Sequence, residues 1–394
     1  VKERGRRTGE RAHRSAPGAR RPGTATAFLL TIVVLNLLGL VMVMSASSVT
    51  ALESQGSSFA LFNRQLVFCL LGAATFVFMS RVEYGALRRW SAPLLAVTVT
   101  LLFLVFVPSV GVHASGSSRW IALGPFNLQP SELAKLALLV YVADVLSRRG
   151  DHVDDWQRAL KPVLLVFGGV AFIVMQQPDM GTTMVVAMIV ITLLFVGGVS
   201  MRNLGPLVAG GAFVAVVAAL SAPYRRARVL AFLDPFADPE RTGYQAVQSL
   251  IALGSGGLFG IGLGAGRAKW LFLPNAHTDF IFAIIGEELG LVGAFFVVAL
   301  FVALAVLGFR IAVSAPDRFG FLLAVGGTVW IVGQAVINIG AAIGLLPITG
   351  VPLPFVSFGG TALITTMAAG GVLFGIARRS VGVEARATVA GRTR

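Results

Sequence analysis

About ten apolar runs, each long enough to cross a bilayer, dominate this chain. They fall near residues 25–46, 61–80, 91–108, 130–147, 162–176, 181–198, 203–222, 278–310, 319–345 and 356–377. No soluble core needs so many. Of the 394 residues 56% are hydrophobic and only 13% charged, about half the charge of a soluble domain. Mean hydropathy is +0.83. The expected fold is an all-α polytopic membrane protein, a bundle of about ten transmembrane helices with one large extracytoplasmic loop at residues 223–277. The expected organisation is a basic disordered tail (1–24), a membrane domain (25–379) and a C-terminal tail (380–394).

The net charge of +14 raises the question of nucleic acid, and its distribution answers it. Much of the charge lies in the arginine-rich stretch before residue 22, in short loops and at the C-terminal end. With the N-terminus in the cytoplasm, Arg81, Arg88, Arg89, Arg148, Arg149, Arg158, Lys161, Arg202, Arg310, Arg318, Arg378 and Arg379 all fall inside. That is the bias expected of cytoplasmic loops, and it places both termini in the cytoplasm. Cys69 is the only cysteine, so no intramolecular disulfide forms, and four scattered histidines give no spaced metal motif.

The exceptions to the charge bias lie outside. Arg119 is in the connection between the third and fourth spans. Arg225, Arg226, Arg228, Arg241, Arg267 and Lys269 are in the long loop, where charge does not set topology. Together they make an external surface suited to an anionic substrate. Within the loop, Asp234-Pro235 and Asp238-Pro239 are turn chemistry, and Tyr244 to Leu253 suits a short surface helix. Gly254 to Gly266 has a GxGxxG-like spacing with no βαβ context, so flexible or re-entrant backbone packed on the spans is the better reading.

Three carboxylates, Asp279, Glu287 and Glu288, head the eighth span, where an ionised group is costly. If the stretch is helical throughout, Glu287 sits roughly 12 Å deeper than Asp279. Two readings of Asp279 stand: a reactive acid, or a helix N-terminal acid beside a Thr278 cap. Pro130 suits the first position of the fourth span. Glu132 and Lys135 then share one face, either as a self-neutralising pair or with Lys135 lining a polar cavity open to the outside. Asp179 lies in a tight external turn, which suits a turn-former equally well. Pro347 to Gly360 breaks the chain between the last two spans, and its Ser357 reads as an interhelical hydrogen-bonding group or a ligand contact. His277 is an acid–base group or a surface residue, and Glu287 a ligand contact or a structural partner.

The segments Arg119–Lys135 (RWIALGPFNLQPSELAK), Gln176–Thr182 (QQPDMGT), Asp234–Gly264, His277–Gly290 (HTDFIFAIIGEELG) and Pro352–Gly360 (PLPFVSFGG) resemble, in order, the signatures of the SEDS family: FtsW, RodA and SpoVE. The similarity covers nearly all the chain after the basic stretch and is greater to the division member than to the elongation member. It implies a peptidoglycan glycosyltransferase of GT-C-like architecture that polymerises lipid II on the outer face of the cytoplasmic membrane, at the division septum. It implies as partners a class B penicillin-binding protein (a transpeptidase) and other division membrane proteins. By motif, the family's essential loop acid corresponds to Asp279 and its charged pair to Arg119 and Lys135. Gln245 and Gln248 of the loop motif join the substrate-binding candidates. The chain departs from the family pattern at Asn275, Thr349, Phe358 and Thr361; Asp279 itself is not among the departures.

With that chemistry in view, Asp279 is the expected general base for the acceptor hydroxyl, with inversion at the donor carbon. Arg119, Lys135 and Lys269 are the expected pyrophosphate ligands; Glu132, Asp179, His277, Glu287 and Ser357 complete the set. No cofactor follows with certainty; a divalent cation such as Mg2+ at the pyrophosphate is the one candidate. The rival readings are a lipid II flippase and a non-catalytic division scaffold. The clustering of polar candidates toward one membrane face favours the polymerase over a transport path.

Overall fold

A computed structural model describes residues 23–114, 117–124, 126–221 and 223–392. The basic stretch expected as a tail therefore lies almost wholly outside the described residues. Ten helices take up the ten apolar runs: α1 (Gly23–Gln55), α2 (Ala60–Arg81), α3 (Leu87–Leu104), α4 (Pro130–Arg149), α5 (Lys161–Gln176), α6 (Met180–Val196), α7 (Met201–Ser221), and, after the two loop helices α8 (Pro223–Leu233) and α9 (Tyr244–Ser255), α10 (Ile281–Val313), α11 (Arg318–Ala342) and α12 (Gly360–Arg392). Eight of these are long and apolar enough to cross a membrane by length and composition alone. The remaining two are interior helices. α6, at 17 residues, and α4, which carries Glu132, Lys135 and Asp144, pack on each other and on α11. Charge is tolerated in α4 because protein, not lipid, surrounds it.

Local chemistry sets several helix starts. Pro130 occupies the first turn of α4, where its missing N–H costs nothing. Asp179 caps α6, accepting from Thr182 N at 3.1 Å, and Asp317 caps α11 through Gly320 N at 2.9 Å. At the other end of the last span, α12 continues as helical backbone through Arg392, across the stretch expected to be a tail from residue 380.

The connection between α3 and α4 is a small antiparallel sheet in the order β1 (Gly111–Ala114), β2 (Ser117–Leu123), β3 (Phe126–Leu128). Val112 faces Trp120, and Ile121 faces Leu128. Strands of three to seven residues carry too few alternations to stand out from a loop.

α10 is not a continuous helix. Gly290 takes φ 69° and ψ −168° inside it, and the glycine-rich loop fills the break. Ile261 N and Gly262 N donate to the carbonyls of Glu287 and Glu288 (3.0 and 3.1 Å), while Leu291 N and Val292 N donate to those of Gly257 and Leu258 (2.9 and 3.2 Å). A Cβ at Gly256 or Gly260 would overlap the α10 backbone, so glycine is required there by contact. Of the two expected alternatives, flexible or re-entrant backbone, the loop is held against the α10 span by these bonds.

Candidate active site

The helices alternate in direction, so one end of the bundle gathers the sheet, the residues between α7 and α10, and the proline-rich connection from α11 to α12. Asp279 lies there, in a turn just outside the α10 span. Asn275, at φ 59°, closes that turn: its carbonyl accepts from the amides of Thr278, Asp279 and Phe280 at 3.1, 3.1 and 3.4 Å. An amide side chain tolerates this left-handed geometry. The sequence-based placement of Asp279 on the helix is thus corrected. The cap position of α10 is Phe280, with no side-chain cap bond, and Thr278 Oγ1 donates to Asn275 O at 3.2 Å.

The backbone of the turn is held from three sides. Asn338 Nδ2 donates to Asp279 O and to Val351 O, both at 2.8 Å. Ser357 Oγ donates to Thr278 O at 2.6 Å and accepts from Leu353 N at 2.8 Å. Phe358 N donates to His277 O at 2.9 Å, and the two rings meet edge to face at 5.6 Å. Ser357 therefore positions the turn. The His277 imidazole is desolvated, which pushes its pKa down to about 4 and keeps it neutral at pH 7.

Against this fixed backbone, the Asp279 carboxylate accepts no hydrogen bond among the described residues. Other buried carboxylates among the described residues are engaged. Asp179 accepts from Gln129 Nε2, Ser131 Oγ and Thr182 N (3.3, 3.1 and 3.1 Å). Glu132 pairs with Lys135 Nζ at 2.7 Å. Glu287 accepts from Arg267 N and Ala268 N at 2.8 and 3.2 Å. Glu288 takes Ser45 Oγ and Lys269 Nζ at 2.7 and 2.8 Å. Loss of hydration raises the Asp279 pKa to about 6; Arg228 and then Arg119 oppose the rise, and Asp179 adds to it.

The two arginines are the cations that Asp279 senses. Arg119, on β2, donates through Nε to Gln177 O (2.9 Å) and through Nη2 to Pro178 O (2.6 Å), which ties the sheet to the α5–α6 turn. Arg228, on α8, donates to Ile348 O at 3.2 Å. It lines a cavity of about 640 Å³ with Arg241, Thr242, Gln245, Asn275 and Ile348. Gln245 belongs to this cavity, whereas the half-buried Gln248 does not line it. Gly350, at φ 74°, leaves the face of Asp279 open; a Cβ there would stand 3.7 Å from Oδ2.

Two expected pyrophosphate ligands lie elsewhere. Lys135 is fully buried, its Nζ bonded to Glu132 and to Gln334 Oε1 (2.8 Å), with the Trp330 ring 5.3 Å away. It does not line a cavity open to the outside; the pair supports Gln334, whose Nε2 holds Pro352 O at 2.8 Å. Lys269, 4% exposed, is tied to Glu288, Ser45 Oγ and Gly264 O, and so anchors the glycine-rich loop together with Glu287. Sequence reasoning missed Asn338, a polar residue in the middle of an apolar span, and treated Arg228 only as one loop cation among several.

These features define a multi-pass membrane protein with a carboxylate that accepts no hydrogen bond among the described residues and that feels two arginines, at one end of its bundle. The chain belongs to the FtsW/RodA/SpoVE family of cell cycle proteins, whose pattern it matches over residues 25–381. It is 41% identical over 355 residues to a Geobacter metallireducens protein named probable peptidoglycan glycosyltransferase FtsW, covering 90% of this chain and 94% of that one. It is 42% identical over 362 residues to stage V sporulation protein E of Bacillus subtilis, covering 91% and 98%. Among solved structures, a peptidoglycan synthase complex described as coordinating polymerization and crosslinking contains a chain 30% identical to this one. The TM-score is 0.72, with 90% and 97% of the two chains covered. The rod shape determining protein RodA of Thermus thermophilus is 28% identical, with TM-score 0.67 and coverage of 90% and 96%.

Proposed function

We propose that this chain, a peptidoglycan glycosyltransferase, uses Asp279 as general base to join lipid II units on the outer face of the cytoplasmic membrane. The carrying observation is the Asp279 carboxylate: its backbone is held on three sides while its oxygens take no protein donor. A pKa near 6 leaves it ionised at neutral pH yet more basic than an ordinary carboxylate, as base catalysis favours. The acceptor hydroxyl oxygen attacks the anomeric carbon of the donor from the face opposite the leaving group. The hydroxyl proton passes to Asp279, and the bond from carbon to pyrophosphate oxygen breaks with inversion. Arg119 and Arg228 stabilise the negative charge that gathers on the departing pyrophosphate. The cavity beside Arg228 has room for a sugar-sized group.

No three His, Cys, Asp or Glu side chains converge as a metal site among the described residues; a Mg2+ ion would ride on the pyrophosphate oxygens. A class B penicillin-binding protein is the partner proposed, on the strength of the synthase complex that resembles this chain. Similarity to the FtsW relatives supports work at the division septum, and the positive charge of the short loops supports both termini in the cytoplasm.

The test is polymerisation of labelled lipid II by the purified chain with its class B partner, with Asp279→Asn as comparison. Glycan strands from the wild type and none from the folded, partner-binding variant are expected. Undiminished polymer from the variant would overturn the assignment. No polymer from either, with lipid II flipping in liposomes, would return the reading to transport.

A further inference from the structure

At the end of the bundle opposite Asp279, α2 and α12 converge so closely that a Cβ on Gly375 would come within 3.1 Å of Ser80 O. Beyond that contact a cavity of about 300 Å³ opens, lined by Ser80, Arg81, Gly375, Arg378 and Arg379. Three guanidinium groups border it. None forms an ion pair with a carboxylate among the described residues. Asp317 and Glu83 share the surroundings of Tyr84 with Arg379 but pair with none of the three. Asp317 is taken by Arg88 at 3.8 Å and by the start of α11. Glu83, two residues beyond Arg81, forms no ion pair with any of the three. Two of the arginines are held in place from behind by aromatic rings: Arg378 lies 6.0 Å from the Phe374 ring, and Arg379 lies 5.5 Å from the Tyr84 ring. Like charges gathered in this way repel one another unless an anion joins them.

The wall beside the cavity says what kind of anion. Arg81 ends α2, and one turn earlier Val77 and Phe78 are 44% and 65% exposed, with Leu70 and Leu71 exposed further along the same helix. In a bilayer that apolar face lies against acyl chains, and Arg81 stands where the hydrocarbon meets the head groups. A free phosphate would use the arginines and leave that face idle; a lipid uses both.

We propose that the Arg81–Arg378–Arg379 cavity binds the phosphate head group of an anionic glycerophospholipid of the inner leaflet, its acyl chains lying along α2. The inference rests on the orientation given above, which puts this end of the bundle in the cytoplasm. It does not rest on Asp279 chemistry. The site is at the other end of the bundle from Asp279 and takes no part in glycosyl transfer.

Each basic residue near a membrane surface contributes roughly fivefold to anionic lipid affinity. Titration of the detergent-purified full chain with short-chain phosphatidylglycerol, followed by native mass spectrometry, reads this directly. Saturable binding by the wild type is expected, against weak, non-saturating binding of phosphatidylcholine. Arg378→Gln/Arg379→Gln should weaken phosphatidylglycerol binding on the order of 30-fold. Because that pair also touches rings, the exposed Arg81→Gln serves as the second variant: roughly fivefold weaker binding at an unchanged lipid-free melting temperature. Equal binding of the two lipids, or variants that bind like the wild type, would overturn the proposal. So would inorganic phosphate displacing the lipid at equal concentration, since the cavity would then hold a free anion.

Discussion

Removing the charge of Asp279 separates a catalytic acid from a structural one, because the two predict opposite changes in stability. The carboxyl is raised from its ordinary 3.8 to about 6. The folded chain therefore binds more protons than the unfolded chain between about pH 4 and pH 6. With an acid raised in this way, stability falls as pH climbs through that window, and above it the ionised group carries its full cost. The gap spans roughly 2 pH units at about 1.4 kcal/mol each, so ionised Asp279 costs at most about 3 kcal/mol at pH 7. Its partial exposure makes the real figure smaller. Asp279→Asn keeps the shape and every backbone bond of the turn, so it should melt higher than wild type at pH 7. The gain should shrink as pH is lowered and vanish near pH 4. Polymer synthesis should be lost throughout. Differential scanning fluorimetry in one detergent from pH 4 to 8, beside the lipid II assay, reads both quantities. A variant less stable than wild type at pH 7 would refute the reasoning, since Asp279 would then be stabilising its turn.

Three further outcomes follow from the geometry. Wild-type kcat/KM should fall about tenfold between pH 7 and pH 5 as Asp279 takes up its proton near pH 6; Arg228→Gln should move that limb to higher pH, because Arg228 holds the carboxyl down, and a pH–rate profile checks it. Lys135→Met strands Glu132 in a buried site and should cost about 3–5 kcal/mol, with most of the loss recovered in Glu132→Gln/Lys135→Met; thermal melts of the three variants measure it. Gly350→Ala forces a side chain into a left-handed backbone beside Oδ2 of Asp279. It should cost about 1–2 kcal/mol of stability and lower kcat more than it raises KM, as steady-state kinetics would show.

What the sequence revealed and what it hid divide along physical lines. A helix satisfies its own backbone in lipid, so the ten apolar runs were legible, as was the start of α4 at Pro130; the far ends of α1 and α12 run nine and fifteen residues past the expected bounds. The presence of an acid at the head of the eighth span was legible too. Its setting was not: a period of 3.6 carried backward through Phe280 puts Asp279 on the helix, and only the positive φ of Asn275 shows that the helix has not begun. Lys135 read as a ligand through the family's charged-pair motif, and Lys269 because a cationic external surface suggests an anionic substrate. The carboxylates that claim Lys135 and Lys269 lie three residues away on one helix and nineteen residues away across a loop; the first was visible and the second was not. Arg228 was hidden for the converse reason. Nothing in a run of loop arginines marks the one whose helix faces the site. The sheet was missed because its strands are short and its pairing depends on partners, not on local pattern.

The broken α10 bears on how a mutational survey of this protein would look. Gly256, Gly260 and Gly290 leave no space for a side chain, since each meets backbone at closer than van der Waals range. Their replacement would abolish function as thoroughly as loss of Asp279 while touching no reacting atom. A tolerance map would therefore show a second intolerant patch, on the seam where the loop replaces a turn of helix, and a reader seeking chemistry would be drawn to it. The distinguishing mark is graded response. At the seam, harm should scale with the size of the substituent, because the constraint is volume; at Asp279, replacement by its own isostere should be as damaging as any other.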